Sequence, residues 1–322
     1  MMNHDRIVVT GAAGFIGSSL CEALVAQGRI VTGFDNFAPN YADAAKRDNI
    51  RDLSQSKNFK LVEYDVGDEG FCKLLSSIRP DAIVHLAATP GVRPSVEHVL
   101  DYVDNNVRAT ANVLACARST GISKFVFASS SSVYGEGPGR PARESDPLVP
   151  LSPYAATKVS GEALCRSFVA CHDLSVTCLR LFTVYGPRQR PDMAIFKLAR
   201  CIESGLPFPM NGDGGSARDY TYISDIVSGI CASLNCEESF EVFNLGSGNP
   251  INLRTMINVT SGVLGREAIL NEVKLPSIEP KQTFADVSKA TTMLGYRPRV
   301  SFQEGIEMFS TWLKESKRRE IA

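Results

Sequence analysis

Ile7-Val8-Val9-Thr10-Gly11-Ala12-Ala13-Gly14-Phe15-Ile16-Gly17 is the stretch that decides the fold. Four β-prone residues run into a turn with glycine at every third position, and apolar residues at helical spacing follow over residues 15–27. Gly11 permits the sharp strand-to-helix turn. Gly14 lets the backbone approach a pyrophosphate, and Gly17 lets helix and sheet pack closely. The helix N-terminus, with Phe15 and Ile16 in its first turn, offers unpaired N–H groups to the anion. Three glycines alone are a weak signal. Between a strand and an amphipathic helix they mark a dinucleotide turn.

The alternation continues outward from that turn. Further strands are predicted at residues 30–34, 60–64, 82–86, 124–128 and 174–181, with helices at 71–78, 103–119 and 154–172. Continuous apolar strands separated by helices imply a parallel sheet covered on both faces. The fold class is therefore α/β: a doubly wound parallel-sheet Rossmann domain with a smaller α/β substrate-binding domain. After Phe182 the texture changes to Gly186-Pro187, Pro191, Gly205, Pro207, Pro209 and Gly212-Asp213-Gly214-Gly215, read as irregular loops. The expected division is 1–181, with a returning segment at about 219–246, against 182–218 with 247–322. Helices are expected at 223–234, 253–264, 287–294 and 302–317, and a returning strand at 242–245.

Composition narrows the function. Of 322 residues, 44% are apolar and 21% charged, as in an ordinary globular protein. Lys plus Arg is 34 and Asp plus Glu is 35, so no overall basic field attracts nucleic acid or an anionic membrane. No apolar stretch reads as a signal peptide or membrane span, and a cytoplasmic location is expected. The nine cysteines include no C-x-x-C pair. They are expected to be reduced core thiols, without disulfides or a zinc site. His4, His85, His98 and His172 are scattered and read as structural or surface residues, with no metal expected.

Asp35 ends the second strand, 18 residues after Gly17, where a carboxylate accepts both ribose hydroxyls of an adenosine and repels a 2′-phosphate. NAD is therefore the expected cofactor. Asp65 follows the third strand, placed for an adenine amino group or for a plain surface turn. Ala87-Ala88 follow the fourth, placed for close passage of a dinucleotide or for tight packing. Tyr154 and Lys158, in Pro153-Tyr154-Ala155-Ala156-Thr157-Lys158, share one helix face at i and i+4. A phenol has a pKa near 10 in water, and a nearby ammonium favours the phenolate. The cluster Ser129-Ser130-Ser131-Ser132 follows the fifth strand, at the carboxyl edge where ligands bind.

Together these features resemble the extended short-chain dehydrogenase/reductase superfamily, and more narrowly the nucleotide-sugar 4-epimerases. Further matching segments are His85-Leu86-Ala87-Ala88, Asp104-Asn105-Asn106-Val107, Ser131-Ser132-Val133-Tyr134-Gly135, Arg218-Asp219-Tyr220 and Ala285-Asp286-Val287-Ser288-Lys289-Ala290, which span almost the whole chain. The resemblance implies that Asn36, Val66, Leu86 and Asn105 join the cofactor contacts. It implies that Ser130, with Ser131 beside it, bonds the carbon-4 oxygen, that Tyr154 is the acid/base, and that Lys158 binds the nicotinamide ribose. In the implied cycle Tyr154 takes the hydroxyl proton while hydride leaves carbon 4 for NAD. The 4-keto sugar then rotates and is reduced on its other face, with NAD bound throughout. Related dehydratases carry an Asp-Glu pair where this chain has Ser131 and Ser132, so elimination is disfavoured.

The sugar is read from arginines. Arg218 resembles the diphosphate clamp; the plain alternative is an ion pair with Asp219. Thr183 resembles a polar sugar or diphosphate contact, and Glu279 the acid that meets the uridine ribose. Pro276 stands where many hexose epimerases have arginine, so Arg93 or Lys274 is needed to share the diphosphate charge. Pro90-Gly91-Val92-Arg93 and Gly186-Pro187-Arg188-Gln189-Arg190-Pro191-Asp192-Met193-Ala194 closely resemble UDP-glucuronate 4-epimerases. A buried uronate carboxylate must be paired, and Arg190 matches the arginine expected to pair it. The plain alternative is that Arg188 and Arg190 form a solvated loop or bind phosphate. A 4-keto uronate is a β-keto acid. A firm hold by Arg190 and Thr183 would keep its carboxylate bond out of line with the carbonyl.

The leading expectation is thus a UDP-glucuronate 4-epimerase. Its rivals are a 4-epimerase for UDP-glucose or UDP-N-acetylglucosamine, with Thr283 at the sugar pocket, a UDP-glucuronate decarboxylase, and a non-catalytic NAD-sensing protein. The resemblance also implies a homodimer joined through helices 103–119 and 154–172.

Overall fold

The computed structural model describes residues 4–274 and 280–321, the side chains of 317–321 excepted. Its first half contains β1 (Arg6–Thr10), α1 (Phe15–Ala26), β2 (Ile30–Asp35), α2 (Asp43–Asn49), β3 (Phe59–Glu63), α3 (Phe71–Ile78), β4 (Ala82–His85), α4 (Pro94–Glu97), α5 (Val99–Val103), α6 (Ala109–Ser119), β5 (Lys124–Ser130) and α7 (Pro153–Cys171). The second half contains β6 (Ser175–Leu181), β7 (Thr183–Tyr185), α8 (Ala194–Ser204), β8 (Phe208–Asn211), β9 (Ala217–Tyr222), α9 (Ile223–Ser233), β10 (Phe240–Leu245), β11 (Pro250–Asn252), α10 (Leu253–Leu264), β12 (Leu270–Val273), β13 (Gln282–Thr283), α11 (Ser288–Leu294) and α12 (Phe302–Ile321).

Seven strands form one sheet in the order β10-β6-β5-β4-β1-β2-β3, every pair parallel. Successive side chains of a strand face opposite sides. Ile7, Val9, Ala82, Val84 and Val126 accordingly pack with Leu20 and Leu24 of α1 and Ile226 and Ile230 of α9. Val8, Ile83, Phe125 and Phe127 pack with Phe71 of α3, Val113 of α6 and Cys165 of α7. Both faces are buried, which is why these strands are continuous apolar runs. The strand order reverses beside β1, which lies between β4 and β2, and opens a crevice at their carboxyl ends.

A smaller sheet has the order β11-β9-β13, with β7 beside β9, and β8 pairs with β12. Residues 217–222 pair within this sheet, so the return to the large sheet is made by α9 and β10.

Three features differ from expectation. The helix expected over 103–119 is interrupted by a π-turn, Asp104–Arg108, where the Asn106 carbonyl accepts from Thr110 Oγ1 at 2.6 Å. α8 lies where loops were expected; Ile195, Leu198, Ala199 and Ile202 form its buried stripe. The expectation of reduced cysteines fails at one pair. Cys72 of α3 and Cys116 of α6 are joined by a disulfide, because these two helices pack side by side and bring the Cα atoms to 4.8 Å.

Candidate active site

The crevice holds a cleft of ≈310 Å³. Its floor is the glycine turn. Gly11 N–H and Ala12 N–H donate to the Phe34 carbonyl at 2.7 and 3.0 Å. Gly11 has φ +71°, and a Cβ there would lie 2.9 Å from Ala87 N; a Cβ on Gly17 would lie 2.0 Å from the Gly11 oxygen. No larger residue fits either position, and Gly14 caps α1 without a side chain. The first N–H groups of α1, from Phe15, Ile16 and Gly17, thus lie open to the cleft they line.

Asp35 is buried beside the turn. Its Oδ2 accepts from Ala13 N–H at 3.0 Å and its Oδ1 from Phe37 N–H at 2.9 Å, with Lys46 Nζ at 3.7 Å. Asn36 donates to Asp65 Oδ2 at 2.8 Å, and Asp65 Oδ1 accepts from Gly67 N–H. Val66, Leu86, Ala87, Ala88 and Asn105 complete this end of the cleft. An anion-binding helix end, a side-chain-free approach and a buried carboxylate at hydroxyl reach suit an NAD molecule.

The other end carries the reactive side chains. Ser152 caps α7, accepting from Ala155 N–H at 3.2 Å, and Pro153 fits its first turn. The helix therefore starts just before Tyr154 and presents it to the cleft. Lys158 Nζ donates to the Ala128 carbonyl at 2.7 Å and lies 5.9 Å from the centre of the Tyr154 ring. Burial raises the Tyr154 pKa above the usual phenol value, against a Ser130 hydrogen bond and the Arg190 charge. Burial also pushes Lys158 down to about 8, opposed by Cys165 and Glu162.

The four serines separate. Ser129 turns away and donates to Glu162 Oε1. Ser130 lines the cleft with Tyr154. Ser131 does not line it; it faces a smaller hollow with Phe182, Thr283 and Phe284, towards the second sheet. Ser132 donates to Ser130 Oγ through its N–H at 3.2 Å and its hydroxyl at 2.9 Å.

Arg190 and Thr183 line the cleft with Tyr154 and Ser130. Arg190 pairs with Asp192 through Nε and Nη2 at 2.9 and 3.0 Å. Arg188 instead bonds Glu22 of α1 at 2.6 Å. Arg93 is exposed at the start of α4, outside the cleft lining. Arg218 lies on β9 in register with Ile251 and Thr283. Asp219 is buried and accepts from Thr221, Ser247, Gly248 and Ala285, knitting the small sheet to its loops. Glu279 and Pro276 lie outside the described residues.

Sequence reasoning missed four residues here. Lys46 and Tyr41 line the cleft beside Asp35. Tyr102 donates to the Pro90 carbonyl at 2.7 Å and sets its ring edge to face Tyr154, 6.2 Å between centres. Asn106 clamps Thr89 N–H and carbonyl and bonds Thr157. Only Asn106, inside a quoted segment, carried a signal.

Residues 7–246 match the family model described as the NAD dependent epimerase/dehydratase family. The chain belongs to this family. A UDP-glucuronate 4-epimerase of Thermodesulfobacterium geofontis is 38% identical, over 96% of each chain. An uncharacterized UDP-glucose epimerase of Bacillus subtilis is 40% identical, over 94% of this chain and 95% of its own. The crystal structure of the UDP-glucuronic acid 4-epimerase of Bacillus cereus, in complex with UDP-glucuronic acid and NAD, matches with TM-score 0.92 and 40% identity, over 97% of this chain and 99% of that one. For a member of the epimerase/dehydratase family, the absence of an Asp-Glu pair at Ser131 and Ser132 favours the epimerase branch.

Proposed function

We propose that the protein interconverts UDP-glucuronate and UDP-galacturonate at carbon 4, with NAD bound throughout. The observation that carries this reading is Arg190 lining one cleft with Ser130, Tyr154 and Lys158. Similarity to the Thermodesulfobacterium and Bacillus cereus enzymes supports it. NAD, when bound, accepts hydride from carbon 4 and returns it. Ser130 donates to the carbon-4 oxygen and Tyr154 takes its proton. Lys158 holds the nicotinamide ribose, and Asp35 the adenosine ribose. Arg190 and Thr183 hold the sugar carboxylate. Arg218 and Glu279 hold the diphosphate and uridine ribose on the second unit, taken as 182–222 with 247–322, against 1–181 with a return over 223–246.

A homodimer belongs to this reading. Val96, Val99, Leu100 and Val103 are exposed on α4 and α5, Leu100 at 77%, an apolar stripe beside α7. Light scattering after gel filtration is expected to give twice the chain mass. Among the described residues no helix is long and apolar enough to cross a membrane. A cytoplasmic location is the accompanying expectation.

Proton NMR with UDP-glucuronate and no added reductant tests the substrate. The galacturonate anomeric signal is expected, with UDP-glucose and UDP-N-acetylglucosamine inert. A UDP-pentose product means decarboxylation. Conversion of the neutral sugars alone overturns the role of Arg190, and NAD-loaded protein without turnover on any of them points to an NAD sensor.

A further inference from the structure

Tyr154, Lys158 and Glu162 follow one another at four-residue spacing on α7 and share one face. Glu162 is buried, and its carboxylate accepts from Ser129 and Arg180. Its Oε1 accepts from Ser129 Oγ and from Arg180 Nε at 3.0 Å; its Oε2 accepts from Arg180 Nη2 at 2.8 Å. Arg180, buried on β6, also donates to Tyr134 Oη at 2.8 Å and the Glu144 carbonyl at 3.0 Å. Tyr134 donates to Asn244 of β10 at 2.7 Å, and Asn244 donates to the Ala142 carbonyl at 2.8 Å. The carboxylate is thus held rigidly, one helical turn behind Lys158. A buried ion pair is seldom more stabilising than an apolar pair of the same volume, so stability alone does not account for it.

We propose that Glu162 is a positioning residue for the acid/base pair, its fixed charge holding Lys158 as the ammonium while Tyr154 gives up its proton. The distances decide the sign. At about 1.5 Å of rise per residue, Glu162 lies about 6 Å along the axis from Lys158 and about 12 Å from Tyr154. Its charge therefore stabilises the ammonium more than it disfavours the phenolate. Phenol with amine and phenolate with ammonium carry the same number of protons, and Glu162 tips the balance to the second. The other groups facing Lys158 do not replace it. Cys165 lies further along α7, His85 of β4 is held neutral, and β5 contributes the Ala128 carbonyl and the Phe127 ring. From β6, Cys178 lies beyond Cys165, and Arg180, though paired with Glu162, is not among the groups whose charge shifts Lys158.

This inference rests on the acid/base roles assigned to Tyr154 and Lys158. Its test is the tyrosinate absorbance of NAD-loaded protein against pH, with the Tyr154→Phe spectrum subtracted to isolate Tyr154. Glu162→Gln is expected to move phenolate formation up by about one pH unit. It should also lower kcat roughly tenfold at neutral pH with KM within twofold. Glu162→Asp should restore most of both. A Glu162→Gln curve that superimposes on the parent, with only the melting temperature lowered, overturns the proposal. The absorbance readout needs no turnover, so a parent protein inert towards every UDP-sugar would sink the epimerase reading alone. If Glu162→Gln does not fold, Glu162→Gln/Arg180→Gln removes both buried charges together and carries the same measurement. Its titration must again move up, and an unmoved curve overturns the proposal.

Discussion

Ser130 accepts two hydrogen bonds from Ser132, one from the backbone and one from the hydroxyl, which leaves its own proton free to donate into the cleft. Ser132→Ala removes the hydroxyl and lets Ser130 rotate. A net hydrogen bond is worth about 1 kcal/mol, so kcat is expected to fall roughly five- to tenfold. Steady-state kinetics should show KM within twofold; an unchanged kcat would remove Ser132 from the site. Arg190 makes a different prediction. Its guanidinium lies among Tyr154, Tyr41 and Tyr102, whose ionisation it influences. Arg190→Ala leaves a uronate carboxylate unpaired, a loss of about 2–5 kcal/mol. Calorimetry should then show UDP-glucuronate binding weakened at least thirtyfold and UDP binding nearly intact. NMR should show a larger share of pentose. Unchanged affinity and an unchanged product ratio would assign the carboxylate to another group.

At the scale of elements, the position of Tyr154 and Lys158 depends on how closely α7 lies on the sheet. Gly161 is the contact point: a Cβ there would sit 2.3 Å from Phe127 Cζ. In an exposed helix, glycine to alanine stabilises by about 1 kcal/mol. Here the added methyl meets a ring that is buried between His85 and Lys158, and the sign reverses. Gly161→Ala is expected to destabilise by about 1–3 kcal/mol in urea unfolding and to lower kcat by displacing Lys158. A stabilised variant would show that Phe127 yields freely. The elements themselves were largely legible. Apolar runs marked the seven strands of the large sheet, and periodicity marked α1, α7 and α10. The π-turn was not legible, because it depends on Asn106 reaching Thr89 and Thr157, 17 and 51 residues away in sequence.

For the whole molecule, His85 links the cofactor end of the sheet to its helices. Thr110 Oγ1 donates to the Asn106 carbonyl and so accepts from His85 Nε2, at 3.0 Å. His85 Nδ1 then accepts from Thr10 Oγ1 at 2.8 Å, and Thr10 Oγ1 accepts from Ala87 N–H. Burial, with the Lys158 charge, pushes this imidazole down to about 3. Between about pH 6.5 and pH 3 the unfolded chain therefore binds a proton that the folded protein refuses. Stability falls as pH falls through that window. From pH 7 to pH 5 the parent should lose about 2 kcal/mol more than His85→Gln, as read by urea unfolding at both pH values. Equal losses would mean that His85 is protonated in the folded protein.

What the amino-acid sequence determined by itself is what local order carries. Gly11, Gly14 and Gly17 permit one kind of turn, apolar runs give the strands, and Tyr154 and Lys158 share a face because a helix repeats every 3.6 residues. The sorting of the four serines, the Cys72–Cys116 bond and the pairing of Arg188 with Glu22 were decided only by the tertiary structure. Each depends on which elements pack together. Ser129 turns inward because Glu162 and Arg180 meet behind the sheet, and the cysteines meet because α3 lies against α6. Contacts between residues tens of positions apart leave no periodic trace in the chain.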